Sequence, residues 1–347
     1  MKYHFRNVVF TLFFVFILLL TTVIGLEIGV PMVWGKWWVS LNLVGNPDHR
    51  MTTEQYDDVN SDAIRSAYNS SEYREDDFNV IVLGDSFVYG MFLGRQDTIP
   101  YRLEQIAKAS GQPNVRFINF GWISSSPYLS LRLLKDIGSK YKPDLVIDVV
   151  DMTDAWDDTF YQNAVEQKGF FKVARHMPVT AFLLGKWGRE VVRKEWFSQA
   201  LWGVPWQHYF PMERPLVETR SYLDVNVRNL DEMYRYTHDN LQARFVAFVM
   251  PRSAQYSTRE TPDDKSDEYT RLGPYSLEPF RYFAEVAPAR AYPLIPLLED
   301  FKASTVFPLT FAHDPHLSSE GNKEAARFIW QHLQSHRLLP EIPSVVP

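Results

Sequence analysis

The sequence predicts a three-layer α/β/α fold, in which a mainly parallel sheet lies between two layers of helices. Short apolar runs rich in β-branched residues recur along the chain, and segments with a helical pattern separate them. Glycine or proline follows most of these runs, as expected where strands end. Strands that alternate with helices at such intervals form βαβ units and therefore a parallel sheet.

The predicted elements follow one another in the order that this class requires. Strands are predicted at 79–83, 115–119, 145–150 and 245–250, and helices at 98–110, 126–140, 223–242 and 319–333. Pro127 suits the first turn of its helix, since no backbone donor is needed there. Ligands of parallel sheets bind beyond the carboxyl ends of the strands. The loops at that edge begin at Gly84, Phe120, Asp151 and Pro251.

The N-terminal segment 1–30 is interpreted as a membrane anchor. Residues 8–26 form an uncharged apolar run of nineteen residues, which as a helix spans roughly 28 Å, enough to cross a bilayer core. The alternative is a cleaved signal peptide, but its apolar region is shorter, about 7–15 residues. Lys2 and Arg6 precede the run, so we expect a single-pass protein of the plasma (inner) membrane with a cytoplasmic N-terminus and an exported body.

The exported part is divided into a lead-in, a main domain and an insertion. Residues 31–77 are interpreted as a linker or as a lead-in that follows the surface, and 78–338 as the main domain. The alternation of strands and helices breaks at about 157–221, where tryptophan and basic residues are frequent. We therefore predict a helical insertion there, which is either a packed subdomain or else a lid or membrane-lying element.

Composition excludes several classes of protein and site. The chain of 347 residues contains no cysteine, which excludes a disulfide scaffold, a thiolate zinc site and cysteine catalysis. Its net charge of −6 makes nucleic acid a poor partner. No cofactor and no metal is expected. His313, Asp314 and His316 could be metal ligands, but no further cluster nearby has ligand spacing.

Two distant segments carry residues that fit nucleophilic catalysis. Ser86 directly follows the first predicted strand, at a turn that lifts its hydroxyl above the sheet edge. Serine needs a base, and His316 lies just before the last predicted helix. Asp314, two residues ahead, can orient the imidazole from the same loop. The sequence therefore predicts a catalytic triad of Ser86, His316 and Asp314.

The two segments resemble the SGNH (GDSL-type) hydrolase superfamily. The first motif block matches at 82–90 (VLGDSFVYG) and the last at 314–326 (DPHLSSEGNKEAA). The Asp-x-His spacing is more similar to the membrane-anchored, O-acetyltransfer-related branch than to many secreted esterases. The resemblance covers about 78–336, without the insertion, and implies a flavodoxin-like three-layer fold.

The two middle blocks depart from the family pattern at the oxyanion hole. The second block aligns with 119–128, where the expected glycine is Ser124. In the third block the family has Asn-Asp, whereas this chain has Thr153 and Asp154. The resemblance implies that the backbone N–H groups of Ser86 and Ser124, with Thr153, bind the oxyanion.

Asp154 and Arg252 are further candidates, because both follow strands at the ligand-facing edge. Contact with substrate is one interpretation of each residue. The alternatives are a solvated, helix-starting acidic run for Asp154 and a salt-bridged loop for Arg252.

The resemblance implies a membrane-anchored, exported serine esterase or acyltransferase. Its expected substrate is an ester, an O-acetyl group of a cell-surface glycan, and an integral-membrane acyl donor is a conceivable partner. Two alternatives remain open. One is a non-catalytic, membrane-tethered binding or assembly module with a degenerate site, favoured by Ser124 and Thr153. The other is a lipid esterase, favoured by the anchor and the insertion.

Overall fold

The structure is a computed structural model that describes most of the chain. The described residues are 2–34, 58–74, 76–166, 168–169, 171–172, 176–177, 179–180, 195–205, 208–257, 276–312 and 314–340. His313, from the alternative metal site, lies outside them. The chain divides into two compact units, one of 1–47 with 160–206 and the other of 48–159 with 207–347.

The larger unit is built on a parallel sheet. Among the described residues the sheet has five strands, in the order β2-β1-β3-β4-β5. They are β1 (Phe78–Gly84), β2 (Val115–Asn119), β3 (Leu145–Val150), β4 (Arg244–Val249) and β5 (Leu294–Pro296). All neighbouring pairs are parallel. The order is flavodoxin-like, and it reverses between β1 and β3, so the loops after these strands flank the crevice where such folds bind ligands.

Helices precede, connect and follow these strands. They are α1 (Lys2–Trp34), α2 (Ser86–Tyr89), α3 (Ile99–Ala109), α4 (Pro127–Ile137), α5 (Asp154–Val165), α6 (Glu195–Trp202), α7 (Phe210–Glu213), α8 (Leu216–Leu241), α9 (Ser253–Tyr256), α10 (Glu278–Val286), α11 (Leu298–Lys302) and α12 (Ser319–Ser335). A two-stranded antiparallel ribbon, β6 (Thr310–Phe311) and β7 (Asp314–Leu317), precedes the last helix.

Both faces of the sheet are covered. Every residue of β3 is buried, and so are nearly all residues of β1, which requires a layer of helices on each side. The helices α3 and α12 pack together, and α4 packs against α8. The predicted fold class is confirmed.

The four predicted strands agree with the observed ones to within one residue at each end. The strand β5 was not predicted, because three residues ending in Pro296 are too short to show a period. The helix α8 begins seven residues earlier than its predicted start at 223, inside the predicted insertion. The lead-in is part of the larger unit over its described residues 58–74, since Ile64 and Tyr73 are buried in the core.

The smaller unit contains the apolar helix α1. Its segment Arg6–Val30 is 25 residues long with a mean hydropathy of 2.8. Among the described residues, this is the one helix that is both long enough and apolar enough to cross a membrane. Within the same unit, the carboxylate of Glu27 accepts the backbone N–H groups of Val179 (3.1 Å) and Thr180 (2.6 Å). The predicted insertion at 157–221 includes the whole of 160–206, the second segment of this unit.

Candidate active site

Ser86 is the first residue of α2 and directly follows the turn after β1. Gly84 at this turn has φ of +151°, and a Cβ atom there would lie 2.9 Å from the carbonyl oxygen of Val149, so a side chain does not fit. Asp85 caps α2, because its carboxylate accepts the backbone N–H of Phe87 at 2.8 Å. The turn therefore fixes the position of the Ser86 hydroxyl at the carboxyl end of β1.

The residue pair Asp314 and His316 lies on β7, next to the Ser86 hydroxyl. The Nε2 atom of His316 is 2.8 Å from Oγ of Ser86, and its Nδ1 atom hydrogen-bonds to the carboxylate of Asp314. The same carboxylate accepts the backbone N–H of His316 at 2.9 Å, which holds both residues in one turn. The structure thus brings the three predicted catalytic residues into one hydrogen-bonded chain.

The environment keeps Asp314 charged. Partial burial acts to raise the pKa of its carboxyl, but the hydrogen bonds from the side chain and backbone of His316 outweigh burial, so the pKa lies below its ordinary value. A carboxylate in this position fixes the imidazole tautomer with its proton on Nδ1, leaving Nε2 free to accept a proton from Ser86.

The loop after β2 lies against α2. Asn119 holds the loop at both ends, since its side chain accepts the N–H of Gly121 at 2.9 Å and donates to the carbonyl of Val88 at 3.0 Å. A Cβ atom at Gly121 would lie 2.3 Å from the backbone nitrogen of Tyr89. Ser124 follows in the left-handed region with φ of +58° and is exposed, so it adopts the backbone conformation that favours glycine.

Both hydrogen-bond donors of Thr153 bond to Asp151 and not to an oxyanion. Its hydroxyl donates to Oδ2 of Asp151 at 2.6 Å, and its backbone N–H donates to the same atom at 3.1 Å. The side chain is buried. Because both donors are used by Asp151, the prediction of Thr153 as an oxyanion donor is corrected.

Arg252 and Asp154 are both buried next to the site, and their contact with substrate stays a prediction. Arg252 is 6% exposed and forms an ion pair with Asp151. Its guanidinium lies over the ring of Phe87, 4.8 Å from the centroid. Asp154 is 1% exposed and accepts the backbone N–H of Asp151 at 3.0 Å. Both residues thus contact Asp151 and support the loop after β3.

Three buried carboxyl groups lie close together under Ser86. Oxygens of Asp85, Asp151 and Asp154 lie within 4.8 Å of one another, a spacing that could hold a cation. The guanidinium of Arg252 already supplies a positive charge there. Burial, together with the charge of Asp151, raises the pKa of Asp85 to about 8, although Arg252 opposes the shift. Asp151 itself has a lowered pKa, because Arg252 and Thr153 outweigh its burial.

A second histidine-carboxylate pair was missed by the sequence analysis. Nε2 of His208 is 3.0 Å from the carboxylate of Asp157, and its ring packs edge-on against Trp156 at 4.8 Å. Burial lowers the pKa of His208, but the charge and the hydrogen bond of Asp157 outweigh it, so the pKa is raised. The two residues are far apart in the chain, and no sequence signal links them.

No protein-family model and no curated protein matches the chain. Several solved structures do. A lipase/acylhydrolase from Enterococcus faecalis is 16% identical, with a TM-score of 0.41, over 76% of this chain and 98% of that chain. An acetylxylan esterase from Geobacillus stearothermophilus, solved as a catalytic mutant, is 13% identical (TM-score 0.39; 74% and 94%). Another acetyl xylan esterase is 15% identical (TM-score 0.39; 74% and 100%).

Proposed function

We propose that the protein is a serine ester hydrolase of SGNH type. One observation carries the proposal, the hydrogen-bonded chain from Oγ of Ser86 through the imidazole of His316 to the carboxylate of Asp314. A nucleophile, a base within 2.8 Å of it and an acid that orients the base are the parts that acyl transfer requires.

The reaction proceeds through an acyl-enzyme. Oγ of Ser86 attacks the ester carbonyl carbon while Nε2 of His316 takes the hydroxyl proton, and Asp314 stabilises the resulting imidazolium. When the tetrahedral intermediate collapses, the bond to the alcohol breaks and His316 returns the proton to the leaving oxygen. Water then attacks the acyl-Ser86 ester, loses its proton to the same nitrogen, and the carboxylic acid leaves as the serine regains its hydrogen.

The negative oxygen of the intermediate needs donors that are already in place. Ser86 is the first residue of α2, so its N–H has no partner within the helix and is the first donor in this proposal. The N–H of Ser124 is the second donor, offered by the loop that Asn119 fixes against α2. Loss of one donor costs about 100- to 1,000-fold in turnover, so without Thr153 we expect slower hydrolysis than with three donors.

The substrate and the location are proposed from the anchor and the motif resemblance. Lys2 and Arg6 support a cytoplasmic N-terminus and an exported body at the plasma (inner) membrane, and this is the location that we propose. We propose O-acetyl groups of a cell-surface glycan as the substrate. The same acyl-enzyme performs transfer where a sugar hydroxyl replaces water, with an integral-membrane acyl donor as the partner.

A non-catalytic binding module is the second candidate function. It is favoured by Thr153, whose hydroxyl and N–H are both used by Asp151. In that case the crevice beyond β1 and β3 holds an ester or a glycan without cleaving it.

Labelling with a fluorophosphonate separates the two candidates. The full chain, reconstituted in lipid nanodiscs, is expected to take up the label and to release acetate from a chromogenic acetyl ester. Ser86→Ala should abolish the labelling and reduce turnover by roughly 10,000-fold or more. Ser335→Ala, on the exposed end of α12, is the matched control and should label like wild type. Equal labelling of wild type and Ser86→Ala, or none of wild type, refutes the hydrolase.

A further inference from the structure

Phe92 lies at the rim of the site although it belongs to none of the sequence motifs. It follows α2 in the turn 90–93, and its side chain is 64% exposed. Its ring centroid is 5.8 Å from that of His316, with the ring planes at 85°. Phe311 contacts it from a second side, at 6.0 Å and again at 85°. A large apolar ring is thus held in solvent beside the histidine that contacts Ser86.

The backbone of Phe92 is strained and held in place. Its φ is +64°, in the left-handed region that a bulky residue rarely adopts. The buried guanidinium of Arg65 donates to the carbonyls of Tyr89 at 2.8 Å, Gly90 at 2.9 Å and Leu93. These bonds fix both ends of the turn that carries the ring. The lead-in therefore fixes the conformation of the rim of the site.

Neither exposure nor strain at this position stabilises the fold. A glycine would adopt this φ without strain, and a polar side chain would suit the exposure. A strained residue persists only where the surrounding structure holds it firmly in place. Such residues are concentrated at functional sites, where a side chain is required in one position. The ring is therefore better explained by what it binds.

We propose that Phe92 determines specificity by stacking on the apolar face of the sugar ring whose ester group reaches Ser86. This inference rests on the proposed function and names its substrate class. The C–H groups on one face of a pyranose carry partial positive charge, which suits the negative face of an aromatic ring. The two perpendicular contacts leave most of the Phe92 ring open to such a partner.

A long acyl chain fits the same geometry less well. Apolar ligands bind in clefts that bury most of their surface among several apolar side chains. At 64% exposure, Phe92 offers an open platform, on which an acyl chain would keep most of its surface in water. A flat sugar ring, whose hydroxyl groups stay solvated at its edge, needs no such enclosure.

Binding to an inactive protein tests the inference independently of turnover. The full chain with Ser86→Ala, in nanodiscs, is titrated calorimetrically with partially O-acetylated xylo- and manno-oligosaccharides. Adding Phe92→Ala should weaken binding about tenfold, equivalent to ~1.4 kcal/mol. Phe92→Tyr and Phe92→Trp should stay within about threefold, whereas Phe92→Leu should behave like alanine because it lacks a π face. Val217→Ala, an exposed apolar position on α8, is the control and should not change binding.

Hydrolysis by the Phe92 variants excludes the other roles. In the protein that retains Ser86, Phe92→Ala should lower kcat/KM about tenfold more for the sugar acetates than for ethyl acetate, which has no sugar ring. A loss of equal size on both, or a larger loss on ethyl octanoate, overturns the inference in favour of support for His316 or of an acyl-chain site. Absence of Phe92-dependent binding to either oligosaccharide class also overturns it. If binding depends on Phe92 but Ser86-dependent hydrolysis is absent, the proposed function fails and this inference stands.

Discussion

Replacing Arg252 by methionine should destabilise the larger unit strongly and in a pH-dependent way. Arg252 is 6% exposed, and Asp151, its partner, is 1% exposed. Removing one member of a buried ion pair costs about 3–5 kcal/mol, because the remaining charge has no compensation. Asp85 and Asp154 lie within 4.8 Å of Asp151 and make that remaining charge harder to hold.

The sign of the pH dependence follows from the raised pKa values. The pKa of Asp85 is raised from 3.8 to about 8. At a pH between these two values, Asp85 is ionised in the unfolded chain but keeps its proton in the folded protein. Folding stability therefore falls as the pH rises through this window. Without Arg252 the carboxyl groups of the cluster repel one another more, and the fall should be steeper. The deficit of Arg252→Met should be largest at pH 8 and smaller at pH 5.

Thermal melting of the full chain in nanodiscs at pH 5, 6, 7 and 8 measures this effect. A loss of about 3–5 kcal/mol corresponds to a decrease of roughly 6–20 °C in Tm. The double variant Arg252→Met with Asp151→Asn removes the unpaired charge and should recover part of the loss. Arg220→Met, which breaks an exposed ion pair with Glu285, is the matched control and should melt close to wild type. If Arg252→Met melts like wild type at pH 8, Arg252 does not neutralise the carboxyl groups of Asp85, Asp151 and Asp154.

Three further substitutions test other parts of the site. Asp158→Asn should flatten the fall of Tm between pH 5 and 8, because burial raises the pKa of Asp158 to about 7. The side-chain amide of Asn226 can rotate and so keep its hydrogen bond to residue 158. An unchanged slope of Tm against pH contradicts this. Gly121→Ala should cost about 1–3 kcal/mol and lower ester turnover, since its Cβ would meet the backbone of Tyr89; native melting and turnover would show that the loop can shift. Phe92→Gly should melt above Phe92→Ala by about 2–4 °C, because glycine relieves roughly 1 kcal/mol of strain at φ of +64°; equal melting would mean the strain is absent.

The parts of the structure that depend on local pattern could be predicted from the sequence. The run 145–150 is apolar except for Asp148, so its assignment as a buried strand required no tertiary information. The structure shows it buried along its whole length. The proximity of Ser86 and His316 was predictable in another way. Motifs at the end of the first strand and before the last helix meet at the same sheet edge, whatever lies between them.

The network beneath the site could not be predicted, because it depends on the partners that each polar group finds in three dimensions. The place of Thr153 in the third block predicts an oxyanion donor. Its hydroxyl instead bonds to Asp151, two residues earlier, because that carboxylate is buried and needs donors. Arg252, 101 residues away, completes the same network. The burial of a charged residue depends on such partners, and a single sequence does not report it.

Arg252 gives the loop after β4 a part in holding Ser86 in place, although this loop carries none of Ser86, His316 and Asp314. Asp85 must cap α2 to hold Ser86 at the turn, and this brings its carboxyl next to Asp151 and Asp154. Without a counter-charge, carboxyl groups this close would either take up protons or move apart. If they moved apart, their loops would separate and Ser86 would move with them. One guanidinium, held over the ring of Phe87, keeps the loops after β1 and β3 together. The geometry of the nucleophile and the stability of the sheet edge thus depend on the same ion pair, and a substitution that weakens the pair is expected to reduce both.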